Sequence, residues 1–171
     1  MAEEKAKLEQ NQREKPMSFL TMVVLTGLVG GIFWGGLGYL AYLFHFTEIR
    51  PNVVLEPWAL GDWKKGWLGT VISIIFIGVV SIVAALIYYA LCKKIKSILG
   101  GIGLGIVLFL LVFIVLNPIF PGIEPIGELK RNTIITTLCL YILFGTFVGY
   151  SISYEYEEQK YREQQEKEVP S

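Results

Sequence analysis

Metal or acid–base chemistry in this sequence would have to come from its only histidine and the carboxylates near it. His45 lies three residues before Glu48, a spacing that would place both side chains on one helical face, toward a metal ion. One imidazole and one carboxylate are too few, because a catalytic zinc site uses three protein ligands. Other carboxylates in the long connections could join them, although nothing in their spacing requires it: Glu56, Asp62, Glu124 and Glu128. A metal or hydrolytic site is therefore only the third of three hypotheses, and we expect no catalytic residue, metal or cofactor.

The familiar enzyme motifs do not occur. The sequence contains no Gly-Lys-Ser/Thr phosphate loop, no Cys-x-x-Cys pair and no Gly-x-Ser-x-Gly element. Gly101, Gly103 and Gly105 alternate within an apolar stretch, so they predict a packing surface rather than a dinucleotide-binding turn. We therefore expect the protein not to be an enzyme.

Charged residues are distributed very unevenly along the chain. Of its 171 residues 53% are hydrophobic and 18% charged, and 15 basic residues balance 15 acidic ones. Four stretches contain no Asp, Glu, Lys or Arg: 16–47, 66–92, 97–123 and 132–154. Because about 20 helical residues cross ~30 Å of hydrocarbon, we predict transmembrane helices over about 17–44, 67–91, 98–118 and 133–153. This distribution excludes a soluble globule, a nucleic-acid binder and a secreted disulfide module.

The predicted fold class is an all-α membrane protein, with a four-helix transmembrane domain at 17–153. An N-terminal arm at 1–16 precedes it, and a charged tail at 154–171 follows, either continuing the fourth helix or lying solvated. Ten of the fifteen Lys and Arg residues fall in the arm, the 93–96 connection and the tail. Because basic loops resist translocation, we expect both termini in the cytoplasm of a cell-membrane protein. The helices then form two tandem hairpins whose long connections, the outer loops, face outward.

Glycine is concentrated on particular faces of the predicted helices. Small residues four apart form a stripe on which another helix can approach closely, and in lipid such packing is a main drive to association. The stripe does not identify its partner, which is another helix of the same chain, a second copy or a different protein. The helix-packing candidates are Gly27, Gly31, Gly35, Gly101, Gly105, Gly145 and Gly149.

Tryptophans and a repeated pattern mark the outer loops. Trp63 and Trp67 are four apart and would share one helical face, as a ligand-stacking cleft or, in the interpretation we favour, as an interfacial belt. Each outer loop carries Glu-Pro, a spacer and then Gly-acid-apolar-basic-basic, at 56–65 and at 124–131. Either a duplication or independent anchoring of two helix ends would produce this pattern.

Three segments together resemble a known family. They read FWGGLGY at 33–39, FTEIRPN at 46–52 and EPWALGDW at 56–63. They resemble the YqhR-like conserved membrane proteins of spore-forming Gram-positive bacteria, and the resemblance extends over about residues 11–161. It implies four spans, a bacterial plasma membrane and no assigned activity, and it transfers no catalytic residue.

The favoured hypothesis is a small, non-enzymatic integral membrane protein of the cell envelope that acts through its Gly-rich helix faces and outer loops. Its expected partners are the lipid bilayer and a membrane or envelope protein or a second copy, and not a nucleic acid. The alternative is an oligomeric small transporter or channel subunit, suggested by the repeat and by hydroxyl-lined helix faces. The outer-loop interaction candidates are His45, Glu48, Glu56, Asp62, Trp63, Trp67, Glu124 and Glu128.

Overall fold

A computed structural model describes residues 18–92 and 98–168 of the chain. The predicted N-terminal arm, the basic 93–96 connection and the last three residues of the tail lie outside the described residues. The described part is helical without strands, which confirms the predicted fold class. The described residues form four long helices, α1 (Phe19–Leu43), α2 (Trp67–Cys92), α3 (Ile98–Leu110) and α4 (Arg131–Glu168). By length and apolar composition each can cross a membrane, α3 only together with the turn that extends it to Val115.

The third and fourth helices differ from the predicted spans at their carboxyl ends. After Leu110 the third span widens into a π-helical turn, Leu111–Val115, and then ends in a short 3-10 turn, Asn117–Ile119. A proline ring crowds the carbonyl four residues before it and offers no N–H, so a regular α-helix cannot continue through Pro118. By contrast, α4 continues without interruption through Glu168 and includes most of the predicted tail.

The chain folds into two antiparallel hairpins. Gly27 of α1 faces Ile82 of α2, whereas Gly31, one turn later, faces Gly78, so the two helices run in opposite directions. A Cβ atom at Gly27 would lie 2.8 Å from the Cα of Ile82, and one at Gly31 would lie 2.7 Å from the Cα of Gly78. Such distances leave no room for a side chain. Gly35 is looser, with its nearest neighbours at ordinary contact distance.

In the second hairpin glycines from both helices meet. A Cβ atom at Gly101 would lie 2.7 Å from the Cα of Thr146, and one at Gly149 would lie 2.6 Å from the Cα of Gly101. Gly105 and Gly145 are equally tight, because each faces backbone atoms of the other helix. The backbones of α3 and α4 are therefore in direct contact.

The two hairpins meet mainly where α4 lies against α1. Gly30 of α1 faces the ring of Phe147, whose nearest atom would lie 3.1 Å from a Cβ at that position. Toward the carboxyl end of α2, the Tyr88 hydroxyl lies 3.2 Å from the Ser153 hydroxyl of α4. Six buried side chains form a hydrophobic core between these helices: Val23, Ala85, Tyr88, Phe144, Val148 and Ile152.

The bundle has two distinct ends. At one end the ring of Phe19, the first residue of α1, lies 5.0 Å from that of Tyr89 and 6.1 Å from that of Tyr156. We call this the terminal end, since α1 begins and α2 ends there. The opposite end carries the first connection, residues 44–66, and the second connection, residues 116–130, and we call it the loop end.

The glycine contacts give a direct test of hairpin packing. We expect Gly105→Ala to lower the free energy of unfolding by about 1–3 kcal/mol, because the added methyl group would lie 2.6 Å from the Cα of Ile142. Gly103→Ala is the matched control, since its methyl group would meet nothing within 4 Å and alanine favours the helix. Unfolding by SDS in mixed micelles, followed by far-UV circular dichroism, measures both. Equal losses in the two variants would contradict the packing.

Candidate functional site

The two connections meet at the loop end and form one layer, which we call the cap. Ile123 and Leu129 of the second connection are buried, and they form a core with Phe109 and Phe113 of the third span. Ile49 and Val53 of the first connection pack against the same core. Apolar contacts therefore join the connections of two different hairpins.

Glu48 adds a polar link between the hairpins. Its carboxylate forms an ion pair with Lys130, 82 residues away, and its backbone N–H donates a hydrogen bond to the Thr133 hydroxyl at 3.2 Å. Thr133 is buried in the first turn of α4. The hydrogen bond from Lys130 lowers the pKa of Glu48, and the same bond raises the pKa of Lys130. Both side chains are solvent-accessible, so the pair contributes more to alignment than to stability.

Glu56 makes the third link. Its carboxyl carbon would lie 2.6 Å from a Cβ atom placed on Gly122 of the second connection. The carboxylate therefore rests on the backbone at Gly122, and a side chain at that position would displace it. Glu124, which occupies the matching place in the second Glu-Pro pair, is exposed. The two halves of the sequence repeat thus have different surroundings.

Asn52 holds the first connection in shape. Its side chain is buried, and its carbonyl oxygen accepts a hydrogen bond from the Thr70 hydroxyl at 2.9 Å. Its amide nitrogen donates to the carbonyl oxygens of Lys64 at 2.6 Å and Gly66 at 3.3 Å. One asparagine thereby ties three parts of the chain together, the 3-10 turn Pro51–Leu55, the end of the connection and α2. Nothing in the sequence alone distinguishes this buried asparagine from one in a solvated loop.

Asn117 has a similar role in the second connection. Its amide nitrogen donates hydrogen bonds to the carbonyl oxygens of Ile123 at 3.1 Å and Glu124 at 3.4 Å. These bonds close the turn that follows Pro118. This turn places Ile123 in the apolar core of the cap.

His45 ends α1. Its φ angle is 62°, the left-handed conformation that glycine usually provides after a helix. The Phe46 N–H donates to the Ala41 carbonyl at 2.9 Å and the His45 N–H to the Tyr42 carbonyl at 3.0 Å, which together form a Schellman cap. The His45 side chain is exposed.

The predicted acidic candidates do not converge with His45. Asp62, Glu124 and Glu128 are exposed at the loop end, while the carboxylate of Glu48 is bonded to Lys130. Across residues 18–92 and 98–168, no three His, Cys, Asp or Glu side chains come together where they could hold a metal ion.

The aromatic candidates lie on a turn that we call the tip, residues 58–67. Trp63 belongs to the 3-10 turn Asp62–Lys65, whereas Trp67 is the first residue of α2. Gly66 between them is extended, so the expectation that the two rings share one helical face is wrong. The Trp63 indole N–H donates to the Leu60 carbonyl at 2.9 Å, and both tryptophans are exposed.

Removal of the Asn52 side chain tests the construction of the cap. We expect Asn52→Ala to cost about 1–3 kcal/mol of unfolding free energy, because the Lys64 carbonyl would lose its donor and the buried Thr70 hydroxyl its nearer acceptor, at 2.9 Å. Trypsin cleavage at Lys64 or Lys65 should also become faster. Asn132→Ala, at an exposed position in the first turn of α4, is the control. Unchanged stability and unchanged cleavage in Asn52→Ala would show that the hydrogen bonds do not hold the connection.

Comparison with known proteins identifies the family. A family model described as conserved membrane protein YqhR matches residues 3–167. The chain is also 56% identical over 151 residues to the uncharacterised protein YqhR of Bacillus subtilis strain 168, an alignment that covers 88% of this chain and 85% of that protein. No solved structure matches. The resemblance stated from the sequence is therefore confirmed over nearly the whole chain, which belongs to the YqhR family of conserved membrane proteins.

Proposed function

We propose that this protein is a non-enzymatic membrane protein of the cell envelope that binds another membrane or envelope protein through its cap. The observation that carries the proposal is the joining of the two connections into one surface. Glu48 contacts Lys130 and Thr133, and Glu56 rests on Gly122. A surface that is ordered before binding loses less conformational entropy when a partner docks.

The side chains of the cap support binding rather than catalysis. Two of its carboxylates already have contacts within the cap: that of Glu48 forms an ion pair with Lys130, and that of Glu56 lies against Gly122. The exposed His45 imidazole belongs to a residue that terminates a helix, and among the described residues no metal-binding group forms near it. The remaining acidic side chains point to solvent, where they are available to a partner: Asp62, Glu124 and Glu128.

The glycine stripes favour the cap as the binding surface. Gly27 and Gly31 contact α2, and Gly101 and Gly105 contact α4, so these faces are already occupied within one chain. A partner could use them only by separating a hairpin. The cap, in contrast, is accessible without any rearrangement of the helices.

The second candidate function is an oligomeric transporter or channel subunit. One observation favours it, the Ser73 hydroxyl of α2, which is fully buried and has no hydrogen-bond partner among the described residues. Large apolar side chains pack between α1, α2 and α4, however, among them Val23, Phe144 and Ile152. The buried Ser81 hydroxyl lies against Gly31 in the α1–α2 contact. A polar path would therefore have to form between copies of the chain.

We further propose that the protein is a multi-pass protein of the cell membrane with the terminal end in the cytoplasm, because ten of fifteen basic residues fall on that side. In a variant with Cys92→Ala and Cys139→Ala, we expect a membrane-impermeant maleimide to label Gly127→Cys in intact cells. Lys160→Cys on the exposed face of α4 should react only after permeabilisation. The reverse result would invert the orientation.

Site-specific photocrosslinking in living cells tests the binding role. A photoreactive amino acid at the exposed Glu128 of the cap should give one discrete adduct with another protein. The same amino acid at Val79, exposed in the middle of α2, is the control and should not give that adduct. Gly122→Val, which displaces the Glu56 carboxylate, should weaken the Glu128 adduct at unchanged expression.

Three outcomes of that experiment count against the proposal. An adduct of two copies of this chain alone would favour the oligomeric transporter or channel. The absence of any adduct at Glu128, or the same adduct at Val79, would remove the cap as a docking surface.

A further inference from the structure

The tip carries three strongly exposed large apolar side chains. Leu60 is 93% exposed, the largest value among the large hydrophobic residues described, and Trp67 and Trp58 are 77% and 72% exposed. The exposure of several apolar side chains to water on one loop would be energetically unfavourable. Something other than water is therefore expected to cover them.

The exposure of these side chains is fixed by the backbone. The Trp63 indole N–H donates to the Leu60 carbonyl at 2.9 Å, and the Lys64 amine donates to the Ala59 carbonyl at 3.0 Å. Gly61 between them has a φ angle of 100°, a conformation that other residues rarely adopt. Since Asn52 also binds the Lys64 carbonyl, the turn is held from both sides. Leu60 is thus presented outward and does not merely lack a place in the core.

The position of the tip relative to α2 indicates what covers it. The backbone of Lys64 lies against Gly69, where a Cβ atom would come within 2.7 Å of the Lys64 Cα. The same face of α2 continues, at helical spacings of seven, four and seven residues from Gly69, with Phe76, Val80 and Ile87. Their side chains are 36%, 50% and 50% exposed. Ser73, one turn below Gly69, is buried, but from Phe76 onward this face of α2 is exposed and would be turned toward lipid. The tip therefore stands above a lipid-facing stretch of α2.

The length of α2 sets the depth of the tip. Its 26 residues span ~39 Å, which exceeds the ~30 Å hydrocarbon core and matches a bilayer that includes its headgroup layers. Trp67, the first residue of α2, then lies in a headgroup layer. Trp58 and Leu60 precede Trp67 in the chain, separated from it by the short turn Asp62–Lys65.

We propose that the tip is an interfacial anchor that inserts Trp58, Leu60 and Trp67 into the leaflet at the loop end, with phospholipid as its ligand. Indole rings favour the headgroup level because they are amphipathic, and leucine gains by burial among the acyl chains. The exposed Lys65 beside them carries the charge that pairs with lipid phosphates. The anchor fixes the tilt of the cap on the membrane, and it does so whether or not the cap binds a protein.

A depth measurement on the purified protein in phospholipid vesicles tests the anchor. With Cys92→Ala and Cys139→Ala, an environment-sensitive fluorophore is attached at Leu60→Cys, where the exposed side chain leaves room for it. The same fluorophore at Gly127→Cys, whose Cβ atom would meet nothing within 4 Å, reports the exposed cap, and at Val79→Cys it reports the middle of α2. Lipids with a spin label close to the headgroup or deep in the acyl chain, and aqueous iodide, serve as quenchers.

We expect the label at Leu60 to be quenched severalfold more by the shallow spin label than by the deep one, and to be shielded from iodide. The label at Val79 should respond to the deep spin label, and the label at Gly127 to iodide alone. Quenching at Leu60 by iodide to the same extent as at Gly127 would overturn the anchor. Shielding at Leu60 from iodide and from both spin labels would also overturn it, since protein rather than lipid would then cover the tip.

Discussion

Backbone contact at glycine is the interaction on which the rest of this structure depends. Between two helices in lipid there is no hydrophobic drive, so the close fit of their surfaces must hold them together. Gly31 lets α1 approach the backbone of α2 at Gly78, and Gly105 with Gly145 does the same for α3 and α4. Each hairpin is therefore a pair of helices in backbone contact. The larger side chains of Phe144 and Phe147 join one hairpin to the other.

The packing of α4 against α1 determines which residues meet in the cap. Because α4 lies against α1, the start of α4 stands next to the end of α1, and Thr133 comes within hydrogen-bond reach of Glu48. The ion pair of Glu48 with Lys130 and the contact of Glu56 with Gly122 join the two hairpins at the same end. The polar surface at the loop end is thus a consequence of packing inside the membrane-spanning part.

The spans were predictable because a charge inside lipid is costly, and the charge-free stretches therefore mark helices that begin close to Phe19, Trp67, Ile98 and Arg131. The spacing of the glycines indicated close packing but could not name the facing helix. The cap was not predictable, since its contacts join residues such as Glu48 and Lys130 that are 82 positions apart. The pairing of Trp63 with Trp67 failed for a local reason, because an extended residue at Gly66 separates the 3-10 turn from the helix.

Two glycines at the loop end, which take no part in the contacts between the long helices, show how closely the connections pack there. A side chain on Gly122 would displace the Glu56 carboxylate, and a side chain on Gly69 would collide with the backbone of Lys64. Connections that served only to join helices would need no such fit, since a flexible loop of the same length closes at little cost. Here buried asparagine hydrogen bonds and glycine contacts fix the conformation of the first connection. A fixed conformation matters where a surface must be presented in one orientation. At the loop end such a conformation places the charged residues of the cap beside the apolar side chains of the tip.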